Sequence, residues 1–186
     1  TAANKLVFQD KVKFIIGNAV GATCNAAQTV TEPQKVIFAF VCWGTKNLAP
    51  DKPYSFRSIL SQWEAAEPFY RWIKEKHPNI KKVAIISPND TSGLDTNTAV
   101  VKAVKSLGFD LVAEETYERG TKDFYPVLTK MLAQKPDMID VAASPPAEAA
   151  LLVKQARELG FKGAKGWTAG TNPANLIDVA GKENAE

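Results

Sequence analysis

Lys82 to Ser87 reads Lys-Val-Ala-Ile-Ile-Ser, with apolar residues at every position from Val83 to Ile86. A strand with one wet face alternates apolar and polar side chains. A strand apolar on successive residues is covered on both faces, the condition of a parallel sheet sandwiched by helices. Runs of similar character recur along the chain, at KVKFIIG (11–17), KVIFAFV (35–41), YSFRSI (54–59), FDLVAEE (109–115), DMIDVAA (137–143) and AKGWTAG (164–170). The segments between them carry helical patterns. CNAAQTVT (24–31) is a short helix. Ser61 and Glu64 have the spacing of a capping box and open a helix running to His77-Pro78, with a kink or restart expected at Pro68. A further helix runs from about Gly93 to Leu107, with Val100, Ala103, Val104 and Leu107 on one face and Gly108 closing it. Asp95, three residues after Ser92, is read as its cap-box acid. Asp123 caps a helix to about Gln134, with Pro126 in the first turn. Ser144 and Pro145 read as the cap and first position of another, whose apolar face is Ala149, Leu152, Val153, Ala156 and Leu159, with Gly160 at its end. Asn172-Pro173 opens a last short helix. Strands alternating with amphipathic helices predict an α/β fold of doubly wound parallel sheets.

Such sheets place ligands at the C-terminal ends of their strands. The loops to watch are therefore GNAVGAT, VCWGTKN, SPNDTSG, AASPP and TAGTNP. Their chemistry rules out the commonest α/β functions. No GxxxxGK[ST] phosphate loop is present, and GNAVGAT lacks the GxGxxG spacing of dinucleotide sites. No GxSxG elbow occurs. The single histidine, His77, reads as a solvated residue at a helix C-terminus. Cys42 ends a strand with no base partner in the sequence and reads as a buried thiol. Cys24 and Cys42 show no CxxC spacing for zinc or redox chemistry. No convergence of His, Asp and Glu suggests a metal. The 23 basic and 20 acidic residues are dispersed over 186 positions, so nucleic acid is not an expected partner. The N-terminus lacks the layout of a signal peptide, and no apolar run approaches the ~20 residues of a membrane helix. Trp63 and Trp72 read as packing residues of a helix. Trp43, in a strand-end loop beside Lys46, reads equally as a rim tryptophan of a ligand cleft or as a packing residue.

Taken in order, KVKFIIG, KVIFAFV, PYSFRS, KKVAIISPNDTSG, ETYERGTKDFYPVLTKMLAQKPDMI and LLVKQARELGFKG resemble the periplasmic binding proteins of the branched-chain amino acid (Leu/Ile/Val-binding) type. These are the substrate-binding subunits of ABC importers. FRS, GTKDFYPVLTKMLAQKPD and VKQARELGFKG are the most specific pieces, and the resemblance covers nearly the whole chain. It implies the type I periplasmic binding protein fold, a two-lobed clamshell that holds a small solute in the interlobe cleft, docks on a membrane permease, and performs no chemistry and needs no cofactor. Residues 1–58 then form part of the first lobe and 59–186 most of the second, with the fold truncated at both ends. A first lobe lacking its first βαβ unit would expose sheet surface, which pairing into a dimer would cover. The implied location is the periplasm, or the outer face of a Gram-positive cell as a membrane-anchored lipoprotein. Cys24 and Cys42 would be free to form a disulfide there, although two buried thiols are the preferred reading.

The same resemblance implies ligand-binding residues at Val20, Gly21, Ala22, Thr23, Trp43, Gly44, Thr45, Ser92, Ser144, Pro145, Gly170 and Thr171. Several depart from the family's pattern. Gly21 stands where a serine is usual, and Thr45 is one position late. Ser92-Gly93 replaces Tyr-Gly, and Ala143-Ser144-Pro145-Pro146 replaces a glycine- and tyrosine-rich loop. Ala169-Gly170-Thr171 carries no acid to receive an ammonium group. A buried ammonium without an acidic partner is unfavourable. The expected ligand is therefore a small carboxylate, aromatic ones included, rather than a standard α-amino acid. A ligand-sensing domain of a receptor or regulator on the same fold is the alternative. An α/β enzyme using Cys42 or Asp90 is the third reading.

Overall fold

The computed structural model describes residues 2–42, 44–168 and 173–182. The chain forms two compact units, Thr1–Ser61 and Gln62–Glu186, each built on its own parallel sheet.

In the first unit, helix α1 (Ala2–Asn4) continues as a π-helical turn over Lys5–Gln9. Strand β1 (Phe14–Ile16), helix α2 (Gly21–Thr31), strand β2 (Ile37–Phe40), a 3-10 turn (Thr45–Asn47) and strand β3 (Ser55–Arg57) follow. The strands lie in the order β1-β2-β3. Ile15, Phe38 and Phe40 pack with Cys24 and Ala27 of α2 and with Val7. The pairing register places Phe14 beside Ile37, and Ile16 beside Ala39 and Phe56, on the opposite face. On that face Phe14, Ile16, Ile37 and Phe56 are exposed. A parallel sheet is ordinarily covered on both sides; here α2 packs on one side, and among the described residues nothing fully buries these four side chains on the other.

The second unit contains α3 (Gln62–Lys76), β4 (Lys82–Pro88), α4 (Thr91–Ser106), β5 (Asp110–Tyr117), α5 (Tyr125–Leu132), β6 (Met138–Asp140), α6 (Pro146–Glu158), β7 (Ala164–Gly166) and α7 (Pro173–Ala180). Its strand order is β5-β4-β6-β7. Strand β4 divides two cores. Val83 and Ile85 pack with Tyr70, Ile73, Val100 and Val104, while Ala84 and Ile86 pack with Phe124, Leu128, Met131 and Leu152. This is why the run is apolar at successive positions. Each isoleucine is fully buried, a contribution of about 1.5–3 kcal/mol apiece. Gly108 and Gly160, at φ +78° and +88°, follow the ends of α4 and α6 in the left-handed conformation that glycine adopts without strain.

Local details differ from expectation where packing outweighs pattern. α3 runs unbroken through Pro68. α4 starts at Thr91, and its cap is Asp90, whose carboxylate accepts the Gly93 N–H at 2.9 Å; the Ser92–Asp95 box does not form the cap. α6 starts at Pro146 with Pro145 in the cap position, so Ser144 does not cap it. Asp123 accepts the Tyr125 N–H at 3.1 Å, but Phe124 holds the cap position of α5, so Asp123 does not take the expected cap. Leu159 lies outside the apolar face of α6 and is exposed. Trp63 and Trp72 are not core residues. They are 38% and 49% exposed, with Lys102 over the Trp63 ring and His77 edge-on to Trp72.

Candidate functional site

In the first unit the candidate residues gather at the C-terminal ends of β1 and β2. After β1 the chain turns at Asn18, in the left-handed region at φ 65°. Asn18 holds the turn by donating to the Thr23 carbonyl at 3.0 Å and accepting from Val41 N at 3.1 Å. Val20 then takes the cap position of α2 without a side-chain cap. Gly21 is buried in the first turn, while Ala22 and Thr23 face solvent. The Thr23 hydroxyl donates back to the Val20 carbonyl at 2.8 Å. Cys24, in the same turn, forms a disulfide with Cys42 at the end of β2. This corrects the reading of two buried thiols, and it removes Cys42 as a nucleophile. The bond joins the helix start carrying Thr23 to the loop carrying Gly44 and Thr45.

That second loop is held from behind by a polar network the sequence reading missed. Gln28 donates to the Asn47 carbonyl at 2.7 Å and to Ser55 Oγ at 2.9 Å, and Asn47 donates to Asn25 at 2.8 Å. The Ser55 hydroxyl in turn donates to Glu32 Oε1 at 2.6 Å. Gly44 is buried, and a Cβ there would meet Asn47 Oδ1 at 2.8 Å. Thr45 and Lys46 are exposed. Trp43, Gly170 and Thr171 lie outside the described residues.

In the second unit the strand order reverses direction beside β4. The chain steps from β4 out to β5 and then returns to β6 on the other side. The ends of β4 and β6 therefore form a topological switch point, the position at which open α/β sheets bind ligands. Ser92, half-buried in the first turn of α4, stands on one side. Ser144 and Pro145, between β6 and α6, stand on the other. Ala143 before them has φ 55°, a left-handed conformation that costs a non-glycine residue roughly 1–3 kcal/mol and is common at ligand loops. Ser144 is buried, and its carbonyl accepts the Trp167 indole N–H at 3.1 Å. Gly93 fits by close approach, since a Cβ at that position would lie 2.0 Å from the Pro88 carbonyl oxygen.

The acids packed at these strand ends are already engaged. Burial alone would raise the Asp90 carboxyl, but the Arg119 guanidinium and the N–H groups of Gly93 and Ser92 outweigh it and hold it below its ordinary 3.8. Glu148 accepts from the Tyr117 hydroxyl at 2.7 Å and from Gly120 N at 2.8 Å. The Tyr117 hydroxyl is held well above its usual range by burial, which outweighs the opposing effect of Ser144, and the Glu148 carboxylate adds to the rise. Asp140, unremarked in the sequence, is wholly buried on β6. It accepts from Tyr70 at 2.8 Å, from Thr168 N at 3.0 Å and from the Thr168 hydroxyl at 2.5 Å. Burial raises its pKa, and the three donors counter only part of that rise. Its partners lie 70 and 28 residues away in sequence, so no local motif announces the cluster.

Among the described residues no group of three or more His, Cys, Asp or Glu gathers as a metal site, and no helix is long and apolar enough to cross a membrane. An amino acid binding protein of Pseudomonas aeruginosa is 29% identical over 86% of this chain and 42% of its own length. A leucine-, isoleucine-, valine-, threonine- and alanine-binding protein of the same organism is 24% identical over 96% of this chain and 48% of its length. Among solved structures, an extracellular ligand-binding receptor from Rhodopseudomonas palustris superposes with a TM-score of 0.87 at 26% identity, over 97% of this chain and 49% of that one. A leucine binding protein from Thermotoga maritima shares the fold at 20% identity and a TM-score of 0.87, over 97% of this chain and 51% of that one. The chain thus spans about half the length of these relatives. The profile of the periplasmic binding protein family matches residues 1–186, and the chain belongs to that family.

Proposed function

We propose that this chain is part of a non-catalytic binding protein of an ABC importer, taking a small carboxylate, aromatic ones included, rather than a standard α-amino acid. Residues 1–58 and 59–186 contribute to its two lobes. The solute is held by the strand-end loops: Val20 to Thr23, Trp43 to Thr45, Ser92, Ser144-Pro145 and Gly170-Thr171. The observation that carries the ligand class is the engagement of Asp90, Glu148 and Asp140 by donors of the protein itself. The segment 169–172 reads Ala-Gly-Thr-Asn and adds no acid. An α-ammonium group buried here would lack its counter-charge, at a cost of several kcal/mol. A carboxylate is better matched to the first turn of α2, whose cap position carries no side-chain cap, and to the Thr23 hydroxyl once it turns from the Val20 carbonyl to which it donates here. Two solute-binding proteins from Rhodopseudomonas palustris that share the fold were solved with 4-hydroxybenzoate, which makes that compound a suitable probe. The Cys24–Cys42 disulfide supports an oxidising location such as the periplasm. The test is calorimetric titration of the whole protein containing this chain with 4-hydroxybenzoate, benzoate, short aliphatic acids, leucine and valine. Saturable binding of a carboxylate without binding of leucine supports the proposal. Tight binding of leucine or valine, with no response to the acids, overturns the ligand class while leaving the family.

A further inference from the structure

Asp140 is a carboxylate with no exposure to solvent, and every partner it has is a hydroxyl or an amide. Both of its oxygens are used. Oδ1 accepts the Thr168 N–H, while Oδ2 accepts the Tyr70 and Thr168 hydroxyls. Three separate elements meet there: α3 through Tyr70, β6 through Asp140, and the chain leaving β7 through Thr168. The apolar core around it needs no such group. Tyr70 is already packed against Phe69 and Phe109, and the neighbouring core positions of β6 are Met138 and Ile139. A buried carboxyl group without a cation is a costly way to fill space. What the arrangement does provide is direction, because one residue's amide and hydroxyl are both captured by one carboxylate. This fixes the backbone of Thr168 and the orientation of its side chain together. Gly166, two residues earlier, is closed in by Met138, Asp140 and Phe69, so the end of β7 is held on this side as well.

We propose that Asp140 is a positioning residue of the solute site: by clamping Thr168 it sets where the chain leaves β7 and so holds Trp167, whose indole N–H donates to the Ser144 carbonyl of the candidate loop. The proposal rests on the solute-binding reading for its consequence, but the clamp is testable without a ligand. Thr168→Val keeps the shape and removes one donor, Thr168→Ser keeps the donor, and Asp140→Asn keeps the size while placing an amide where two hydroxyls donate. In the whole protein, residue-resolved hydrogen exchange is measured at Thr168 and at core amides of β4 and α4, with 4-hydroxybenzoate affinity as the second readout. Thr168→Val and Asp140→Asn are expected to speed exchange at the Thr168 amide by at least about tenfold, the effect of losing one hydrogen bond to a charged group. Core amides stay slow, Thr168→Ser stays near wild type, and affinity falls in parallel with the local loosening. Unchanged exchange at Thr168, or an equal rise throughout the unit, overturns the clamp. Loosening at Thr168 with unchanged affinity overturns its role in the site. Failure of the wild-type protein to bind any carboxylate counts against the solute reading instead, and the exchange data still decide the clamp.

Discussion

Gly93→Ala sets two opposing effects against each other at the end of β4. In helix α4, alanine is intrinsically favoured over glycine by about 1 kcal/mol. Against this, the new Cβ would stand 2.0 Å from the Pro88 carbonyl oxygen and 2.7 Å from its carbonyl carbon. The obstacle is backbone, so no side-chain rotation relieves it, and the first turn of α4 must move away from β4 by roughly 1 Å. Overpacking of this kind costs about 1–3 kcal/mol. The same displacement stretches the 2.9 Å bond from Gly93 N to Asp90, and losing such a cap costs typically about 1 kcal/mol. The balance is a net destabilisation of about 1–3 kcal/mol. Urea unfolding followed by tryptophan fluorescence measures it, since Trp63, Trp72 and Trp167 all belong to the second unit. With a urea slope of about 1–3 kcal/mol/M, the midpoint drops by roughly 1 M. A midpoint equal to or above wild type would mean that helix propensity wins, and the close-approach account of the SPNDTSG loop would be wrong.

Other consequences can be measured in the same way. Replacing Cys24 and Cys42 by serine opens a link between residues 18 apart and is expected to destabilise the first unit by about 3 kcal/mol, while intact-mass analysis of the native protein is expected to show two hydrogen atoms fewer than the dithiol. Asp140 has a raised pKa in the folded state, so its contribution to stability is fully present below 3.8 and is lost as pH rises through the folded value; Asp140→Asn should remove that fall from the pH–stability curve. Asp137, held low chiefly by the N–H groups of Lys82 and Lys81, and Asp90, held low by Arg119 and the helix start, act in the opposite sense. Their contributions are present above 3.8 and are lost as pH falls through the folded values. Acid unfolding should therefore shift to higher pH in Asp90→Asn and Asp137→Asn. Tyr70→Phe removes a donor to a buried carboxylate and is expected to cost about 1.5–3 kcal/mol where Asp140 is ionised and less where it is protonated, which thermal melts on either side of the transition will register.

The alternation of buried strands and helices was legible because parallel strands covered on both faces leave unbroken apolar runs, and Val83 to Ile86 divide between two cores as that rule requires. The glycine ends of α4 and α6 were legible for a similar local reason. Features that depend on distant partners were not. Nothing near Asp140 in sequence points to Tyr70 or Thr168, and nothing near Gln28 points to Asn47 and Ser55. The cap of α4 was assigned to the Ser92–Asp95 spacing, yet Asp90 takes it because the helix begins two residues earlier than its apolar pattern. Trp63 and Trp72 lie on a helix and read as its packing residues, but the inward face of α3 is filled by Ala66, Tyr70 and Ile73. The candidate residues of each strand-end cluster were chosen from loop position, and Val20 to Thr23 with Gly44 and Thr45, and Ser92 with Ser144, do stand at strand ends of their respective units. Their part in holding a solute is a question of binding.

The most direct test is therefore calorimetric titration of the whole protein with 4-hydroxybenzoate and with leucine, side by side, in wild type and in Thr23→Val. The account predicts one-to-one saturable binding of the carboxylate, at least about tenfold weaker in the variant, and no heat with leucine. Saturable leucine binding with no response to the carboxylate would contradict it.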